Sequence, residues 1–456
     1  MRINSPDVKE GARRIISINM GLSLGEDLVI LIDESTSQVA QVLADAARYC
    51  GVRSTIITVS QKDQPRFSTD HNIPLPLARA IEAAQAVVIS LSDAPDGTGF
   101  RRHLLEMSRR LRTKVALMPG VTLDMIADLA RIDYDLLLSY SNFLQLPLLI
   151  GRKVSVITTD KNNQSKELRF DIGGWDQPPT ISSGIIHSQS FDNIPSGEVY
   201  IAPIKGTANG EIVINGSITG YVFSKDEEIK LIFKHGVLAE IIPEDHPATI
   251  FIKKTITTAR AQGDREPDFL CELGIGISSV GTRLTGNTLQ DEKSLGTAHI
   301  AIGLNKPFGG KVDAEHIHED MIFKSPTITI DGKTLMRNGA FNLGMSDWHF
   351  SYRDVVYGPP YDQPELLIQV SGADAETKSE NTLYRKYYDG TDAPALVRVG
   401  DNETAFLAAR IYEKLSEPER GRMRIERLCK ETGLAIEQVR PVLFLMRELF
   451  DLIDII

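Results

Sequence analysis

Residues 27–120 alternate short apolar runs with segments of helical periodicity, and this alternation constrains the fold more than any other feature. The run "DLVILID" is followed by "TSQVAQVLADAARYCG", in which apolar residues recur at helical spacing until Gly51. The unit then recurs through "STIITV", "PLARAIEAA", "AVVISL", "RRHLLEMSRRL" and "KVALMPG". Strands and helices of these lengths predict a parallel sheet covered on both faces. No GxGxxG follows the first strand, so this N-terminal α/β domain, residues 1–150, is predicted to be a scaffold without a dinucleotide site.

The pattern changes near residue 150 to strand-rich segments separated by Gly, Asn, Asp and Pro turns. Examples are "GEIVINGSITGYVF" and "IKLIFKHGVLAEII", and long helical periodicity is scarce before "ATIFIKKTITTARAQ". Residues 151–345 are therefore predicted to form a second, β-rich domain. Most of the candidate carboxylates and histidines lie in it, so it is the predicted catalytic, metal-binding domain.

The C-terminal residues divide into an irregular connecting segment, 346–400, and a helical segment, 401–456. Three helices are predicted in "TAFLAARIYEKL", "RIERLCKETG" and "IEQVRPVLFLMRELF", the last interrupted by Pro441. Three helices with a short glycine-containing turn predict a winged-helix-like appendage. Residues 401–456 contain 9 Lys plus Arg and 11 Asp plus Glu, a net charge of −2, which favours a packing or peptide-docking role over DNA binding.

Charge and hydropathy exclude several functional classes for the chain as a whole. The 456 residues have a formal net charge of −11, and nucleic acids or anionic membranes are bound by basic surfaces. No run approaches the roughly 18 apolar residues of a membrane span, and the N-terminus has no signal-like apolar region. We expect a cytoplasmic protein. Cys50, Cys271 and Cys429 lack CxxC spacing and are expected to be reduced thiols.

The segment "HIHEDMI" places His316, His318 and Asp320 at every second position. Residues two apart on a strand point to the same side, so His318 and Asp320 are predicted to reach one cation together. An imidazole with a carboxylate suits zinc, iron, manganese or cobalt better than calcium. His316 is a candidate third ligand, a hydrogen-bond donor behind the ligands or a substrate contact. Polar alternation on an exposed edge strand would give the same pattern.

Three further candidates lie upstream, at Glu272, Glu292 and His299. Glu272 follows an apolar run, where an unpaired carboxylate is costly unless a cation or hydrogen bonds compensate it. Each residue also has an ordinary alternative: "DEK" resembles a solvated turn, and His299 lies between Ala298 and Ile300 like a core histidine. Five candidate ligands separated by glycine-rich turns favour a metal site.

Several longer segments carry a family resemblance. They are "ELGIG", "GNTLQDEKSLGTAHIAIG", "FGG", the HxD pair, "PTITIDGKTLM" and, upstream, "IPSGEVYIAPIKGTANGEIVINGSI". Over roughly residues 20–341 the chain resembles the M29 metalloaminopeptidases, the family of aminopeptidase T and related leucyl aminopeptidases. The resemblance implies two divalent cations, Zn, Co or Mn, held by six ligands: Glu198, Glu272, Glu292, His299, His318 and Asp320. It also implies a homodimer and hydrolysis of an amide, with Glu198 or a bridging carboxylate such as Glu272 as general base.

Two positions depart from the family pattern. The family's tyrosine after the TAHIA-type histidine is Pro307 here, and the acidic position near Glu198 is Lys205. A related branch of the same fold resembles the 2,5-dihydroxypyridine dioxygenases, which hold one Fe(II) by two histidines and an aspartate. His318 and Asp320, with His299 or His316, are candidates for such a triad.

Three functional hypotheses follow. The first, favoured by the three glutamates, is a metallo-aminopeptidase or amidase acting on a small peptide or modified amino acid. The second is a mononuclear non-haem Fe(II) dioxygenase of an aromatic or heteroaromatic substrate. The third is a non-catalytic peptide-binding scaffold. A carrier or precursor peptide docking on the C-terminal segment is a further expectation.

Overall fold

The computed structural model divides into two compact units, residues 1–149 with 153–341, and residues 150–152 with 342–456. The structure describes residues 3–64, 67, 73–92, 100, 104, 107, 113–174, 177–186, 191–280, 283–341, 350–351, 367–370 and 397–399. The predicted winged-helix-like appendage and most of the predicted helix at 101–111 lie outside these residues. The predicted domain boundaries at 150, 345 and 400 stay predictions.

The described helices are α1 (Pro6–Arg14), α2 (Ser37–Tyr49), α3 (Leu75–Ala83), α4 (Leu123–Leu129), α5 (Tyr134–Ile150), α6 (Pro247–Ala261) and α7 (Thr288–Asp291). The described strands are β1 (Asp27–Ile32), β2 (Arg53–Thr58), β3 (Ala86–Ser90), β4 (Lys114–Leu117), β5 (Lys153–Thr159), β6 (Ser165–Asp171), β7 (Thr180–Ser182), β8 (Phe191–Asn193), β9 (Glu198–Ile201), β10 (Asn209–Ile214), β11 (Ser217–Ile218), β12 (Tyr221–Val222), β13 (Ile229–Lys234), β14 (Val237–Ile242), β15 (Leu270–Gly276), β16 (Thr297–Gly303), β17 (His318–Lys324), β18 (Thr327–Ile330), β19 (Lys333–Arg337), β20 (Ala340–Phe341), β21 (Phe350–Ser351), β22 (Leu367–Val370) and β23 (Val397–Val399).

The first sheet is parallel, in the order β2-β1-β3-β4-β8. Its two central strands, β1 and β3, are almost wholly apolar and buried, because helices cover a parallel sheet on both faces. Packed against them are residues of α3 and the two described side chains Phe100 and Leu104. The predicted parallel-sheet core is confirmed. Its last strand, β8, comes from the region beyond residue 150.

Two larger sheets are antiparallel. One has eight strands, in the order β14-β13-β10-β6-β5-β18-β19-β20, and the other has seven, in the order β12-β11-β17-β16-β15-β9-β7. The prediction of a mixed α/β chain with a strand-rich second part is therefore confirmed. Among the residues that the structure describes, no helix combines the length and apolar character needed to cross a membrane.

Strands β15 and β16 lie in the interior of the seven-stranded sheet, and every residue of both is buried. They nevertheless include Glu272 and His299, which are 5% and 0% exposed. Glutamate and histidine are seldom buried in this way without a partner. A functional site is therefore expected on this sheet.

Candidate metal centre

The register of the seven-stranded sheet aligns the predicted ligands on one face. Glu272 on β15 and Asp320 on β17 both pair with Ala301 on β16. Their side chains therefore lie on the same face of the sheet, on either side of the small Ala301 side chain. Residues directly opposite each other in an antiparallel pair share a face, and so do residues two apart along a strand. His299 on β16 and His318 on β17 therefore emerge on that same face.

Small residues make the space that the ligands fill. Gly274 pairs with His299, and a Cβ at residue 274 would lie 2.0 Å from the imidazole Cε1. A Cβ at Gly276 would lie 2.3 Å from the carbonyl oxygen of Ser294, in the turn that follows α7. Both distances are far below van der Waals contact, so neither glycine can be replaced without moving its neighbour. The "ELGIG" segment thus supplies one candidate ligand, Glu272, and two glycines that leave room for the His299 ring and for the turn after α7.

Glu272, His318 and Asp320 form one group, which we call the open triad. One ligand atom from each lies within 4.8 Å of the others, and His318 Nε2 lies 3.3 Å from both Glu272 Oε2 and Asp320 Oδ1. The His318 side chain is 31% exposed, so the triad can be approached from solvent on that side.

A hydrogen bond orients the His318 ring. His318 Nδ1 lies 2.8 Å from the carbonyl oxygen of Leu304, which can only accept, so Nδ1 carries the proton and donates it. Nε2 then faces the two carboxylates, so it is the nitrogen that would bind a cation held between them. A histidine ligand in proteins is commonly fixed in this way by a bond to its other nitrogen.

Glu198, Glu292 and His299 form the second group, which we call the closed triad. Their ligand atoms also lie within 4.8 Å of one another, and all three residues are buried. Lys293 lies among them: its Nζ is 2.5 Å from Glu198 Oε1 and also donates to Glu292 Oε1, and its side chain is 2% exposed. His299 connects the two triads, because its Nε2 is 3.2 Å from Glu272 Oε1 and 3.6 Å from Glu198 Oε2.

Four carboxylates in a buried site create a strong demand for positive charge. Burial alone would lower the pKa of His299, but the hydrogen bond to Glu272 and the charges of Asp320 and Glu198 raise it to about 9. Burial likewise opposes ionisation of Asp320, yet the neighbouring His318 outweighs it and holds the pKa of this carboxyl below its usual range. Burial raises the pKa of Glu198 and Glu292, although Lys293 acts in the opposite direction.

The donor set fits a divalent cation. Glu198 Oε2, His299 Nδ1 and Asp320 Oδ1 are buried and have no hydrogen-bond partner among the described residues. Unpaired buried polar atoms are costly, and a cation between Glu272, His318 and Asp320 would satisfy the Asp320 oxygen. One imidazole with two carboxylates suits zinc, manganese, cobalt or iron.

The structure therefore brings all six predicted ligand residues to one place, whereas it separates His316 from them. Strand β17 begins at His318, so His316 precedes it and does not share its alternation. Asp264 accepts from the backbone N–H groups of Glu315 and His316, and its Oδ1 lies 2.7 Å from His316 Nδ1. The expectation that His316 shares the strand face is wrong because this distant carboxylate fixes it elsewhere.

Two sequence alternatives are also wrong. Glu292 is 8% exposed, so "DEK" is not a solvated turn. His318 and Asp320 face Glu272 and His299, so they are not the solvent-facing positions of an edge strand; β17 lies between β16 and β11, and β11 pairs with it at Ile322. Of the departures from the family pattern, Pro307 lies in a short 3₁₀ turn at Lys306–Phe308, and Lys205 pairs with Glu266 at 2.9 Å.

Sequence reasoning missed two residues at the site. Lys293 follows two acidic residues, a pattern typical of a solvent-exposed turn. The one sequence signal for its burial is the excess of candidate carboxylate ligands, which requires a compensating positive charge. Tyr200 shares the site's face, because it pairs with Gly274 on β15. Burial, together with the charges of Glu272 and Glu198, raises the pKa of Tyr200 well above its ordinary value, so its phenol stays protonated.

Comparison with solved structures supports the fold. The 2,5-dihydroxypyridine dioxygenase from Pseudomonas putida KT2440 aligns with a TM-score of 0.57 and 16% identity, over 75% of this chain and 98% of that one. Wild-type AmpT from Thermus thermophilus aligns with a TM-score of 0.53 and 15% identity, over 74% of this chain and 99% of that one. No protein-family model and no curated protein sequence matches the chain. The predicted resemblance is thus confirmed at the level of the fold.

Proposed function

We propose that this protein is a metal-dependent hydrolase that cleaves an amide bond in a small peptide or modified amino acid. The observation that carries the proposal is the open triad, in which Glu272, His318 and Asp320 converge within 4.8 Å at the partly exposed side of the site. Two carboxylates and one imidazole leave positions on a divalent cation for water and substrate. AmpT, which shares the fold, is an M29 aminopeptidase.

The bound cation would lower the pKa of a water molecule and polarise the scissile carbonyl. The chain's own groups would do the rest. Glu198 is the proposed general base, because its Oε1 is fixed by Lys293 while its Oε2 has no hydrogen-bond partner among the described residues. Glu272 and Asp320 are the proposed carboxylate ligands. The protonated phenol of Tyr200 is a candidate hydrogen-bond donor to substrate, in place of the tyrosine replaced by Pro307.

The experiment compares His318→Ala with His316→Ala. Both variants remove a histidine from the same segment, but only His318 lies in the open triad. Wild type and His316→Ala should retain a divalent ion after desalting and hydrolyse members of a panel of aminoacyl amides, whereas His318→Ala should do neither. Metal analysis by mass spectrometry and amine release are the readouts. A wild-type protein without metal, or a His318→Ala variant that keeps both properties, would refute the proposal.

An Fe(II) dioxygenase is the second candidate function. The observation in its favour is that His299 Nε2 and His318 Nε2 lie 3.9 Å and 3.3 Å from the same atom, Asp320 Oδ1, as two histidines and one carboxylate would around iron. Oxygen consumption by the Fe(II)-loaded protein with hydroxylated pyridines, without hydrolysis of amides, would favour it over the hydrolase.

Several finer expectations stay predictions. They are the choice of zinc, cobalt or manganese, the homodimer, the cytoplasmic location, and the docking of a carrier or precursor peptide on residues 401–456. The third hypothesis, a non-catalytic peptide-binding scaffold, is distinguished by the same metal analysis because it requires no ion.

A further inference from the structure

The ammonium group of Lys293 lies where the two carboxylates of the closed triad converge. Its Nζ donates to Glu198 Oε1 and Glu292 Oε1, and both the lysine and the two carboxylates are almost wholly buried. The resemblance to the metalloaminopeptidases counts these same carboxylates among the six ligands of two cations. The Lys293 ammonium group and a second metal ion would therefore compete for the same carboxylate oxygens.

The competition follows from distance. A carboxylate oxygen binds a divalent transition-metal ion at about 2.0–2.2 Å and an ammonium nitrogen at about 2.7–2.9 Å. An ion between Glu198 and Glu292 would thus stand nearly where Nζ stands, and two cations cannot share that point. Moving the ammonium away would also leave it buried without a counter-charge, which is strongly unfavourable.

The main chain holds Lys293 in this position. Its N–H donates to the carbonyl oxygen of Gln290, and its own carbonyl accepts from the N–H of Ser278 at 2.8 Å. Ser278 in turn accepts from the N–H of Leu295 at 2.8 Å, so the turn is fastened on both sides. Gly276 lets this turn approach β15, as described above. The lysine therefore lies in a turn that main-chain hydrogen bonds hold against the end of the sheet, and it is not a surface side chain that folds inward.

We infer that Lys293 serves as the resident cation of the closed triad, so that the chain holds a single divalent ion, at the open triad, instead of the two that the resemblance implies. The inference rests on the proposed function in requiring that the open triad bind an ion. Lys293 is a positioning residue: it neutralises Glu198 and Glu292 and fixes the carboxylate of the proposed general base.

The test loads the full chain with Mn²⁺, removes unbound metal, and measures both Mn²⁺ per chain and the electron paramagnetic resonance spectrum. Wild type should hold one Mn²⁺ with the spectrum of an isolated ion. Lys293→Ala should hold two Mn²⁺ and show a spin-coupled pair, because the second ion replaces the lost ammonium. Lys306→Ala, which removes a half-exposed lysine that pairs with Asp313, is the matched control and should hold one.

Each outcome decides the matter. Two spin-coupled ions in wild type would overturn the inference, as would a folded Lys293→Ala protein that still holds one. If Lys293→Ala does not fold, two spin-coupled ions in wild type would still overturn the inference. A wild type without Mn²⁺ but a variant with one ion would support the assignment of Lys293 while refuting the proposed function, and no ion in either protein would refute both.

Discussion

Strands β3 and β16 are interior strands of two different sheets, and both are completely buried. Strand β3 buries Ala, Val, Val, Ile and Ser, and removing apolar surface from water stabilises the fold by about 25 cal/mol per Å². Strand β16 buries His299 against Glu272 and Glu198. Burial of such groups is unfavourable unless charges and hydrogen bonds are matched. Equal burial thus has opposite energetic effects: burial of the apolar side chains of β3 stabilises the fold, whereas burial of the carboxylates around β16 is favourable only with a compensating positive charge.

The largest expected effect is the loss of the ion after Glu272→Gln. The substitution keeps the shape but removes the charge that faces both His299 and His318. We expect divalent-metal affinity to fall by at least about 100-fold, or about 3 kcal/mol. Titration of the metal-free protein with Zn²⁺ in a calorimeter measures it. An affinity equal to that of wild type would show that the negative charge of Glu272 is not compensated by a bound metal ion.

The second effect lies in the parallel sheet. Ile89→Ala removes a fully buried side chain from β3, and we expect a loss of about 2–5 kcal/mol in the free energy of unfolding. Because the site is built on another sheet, the loss should be the same with and without bound metal. Urea denaturation in both states measures it. If the loss of unfolding free energy differed between the metal-free and metal-bound states, the parallel sheet would not be energetically independent of the site on the seven-stranded sheet.

The third effect is a pH dependence of the metal-free protein. The pKa of His299 is raised from 6.5 to about 9, and a basic group with a raised pKa stabilises the folded state while it is protonated. This contribution, up to about 3 kcal/mol, is fully present below pH 6.5 and is lost as pH rises through 9. Stability measured by urea denaturation from pH 6 to 9.5 should decrease in wild type and change less in His299→Gln. Equal slopes would contradict the assignment.

The smallest effect concerns packing beside the site. Gly276→Ala places a methyl group 2.3 Å from the Ser294 carbonyl, so the turn that carries Glu292 and Lys293 must move. We expect a cost of about 2 kcal/mol in unfolding free energy. Gly332→Ala is the control, because a Cβ there meets nothing within 4 Å and only the left-handed backbone is strained. Chemical denaturation compares the two; a larger loss for the control would contradict the close approach.

The parallel sheet and the ligand positions were predictable for different reasons. The parallel sheet is predicted by the local alternation of apolar runs and helical segments. Glu272 is predicted as a ligand because it is a lone carboxylate within an apolar run. Lys293 could not be predicted, since its burial depends on Glu198, 95 residues away, and on the space left by Gly276. The prediction for His316 is wrong because strand alternation holds only from His318, where β17 begins, and Asp264 fixes the residues before it. Strand β8 has three residues and no pattern of its own.

The alignment of the ligands by strand pairing has a consequence for how the protein matures. Residues that meet at the site are far apart along the chain, 27 residues for Glu272 and His299 and 95 for Glu198 and Lys293. Contacts between distant residues form late, because the entropy of closing long loops must be overcome first. The ligands of the proposed ion, on β15 and β17, therefore converge only once β15, β16 and β17 are in register, so uptake of that ion would report that this part of the sheet has formed.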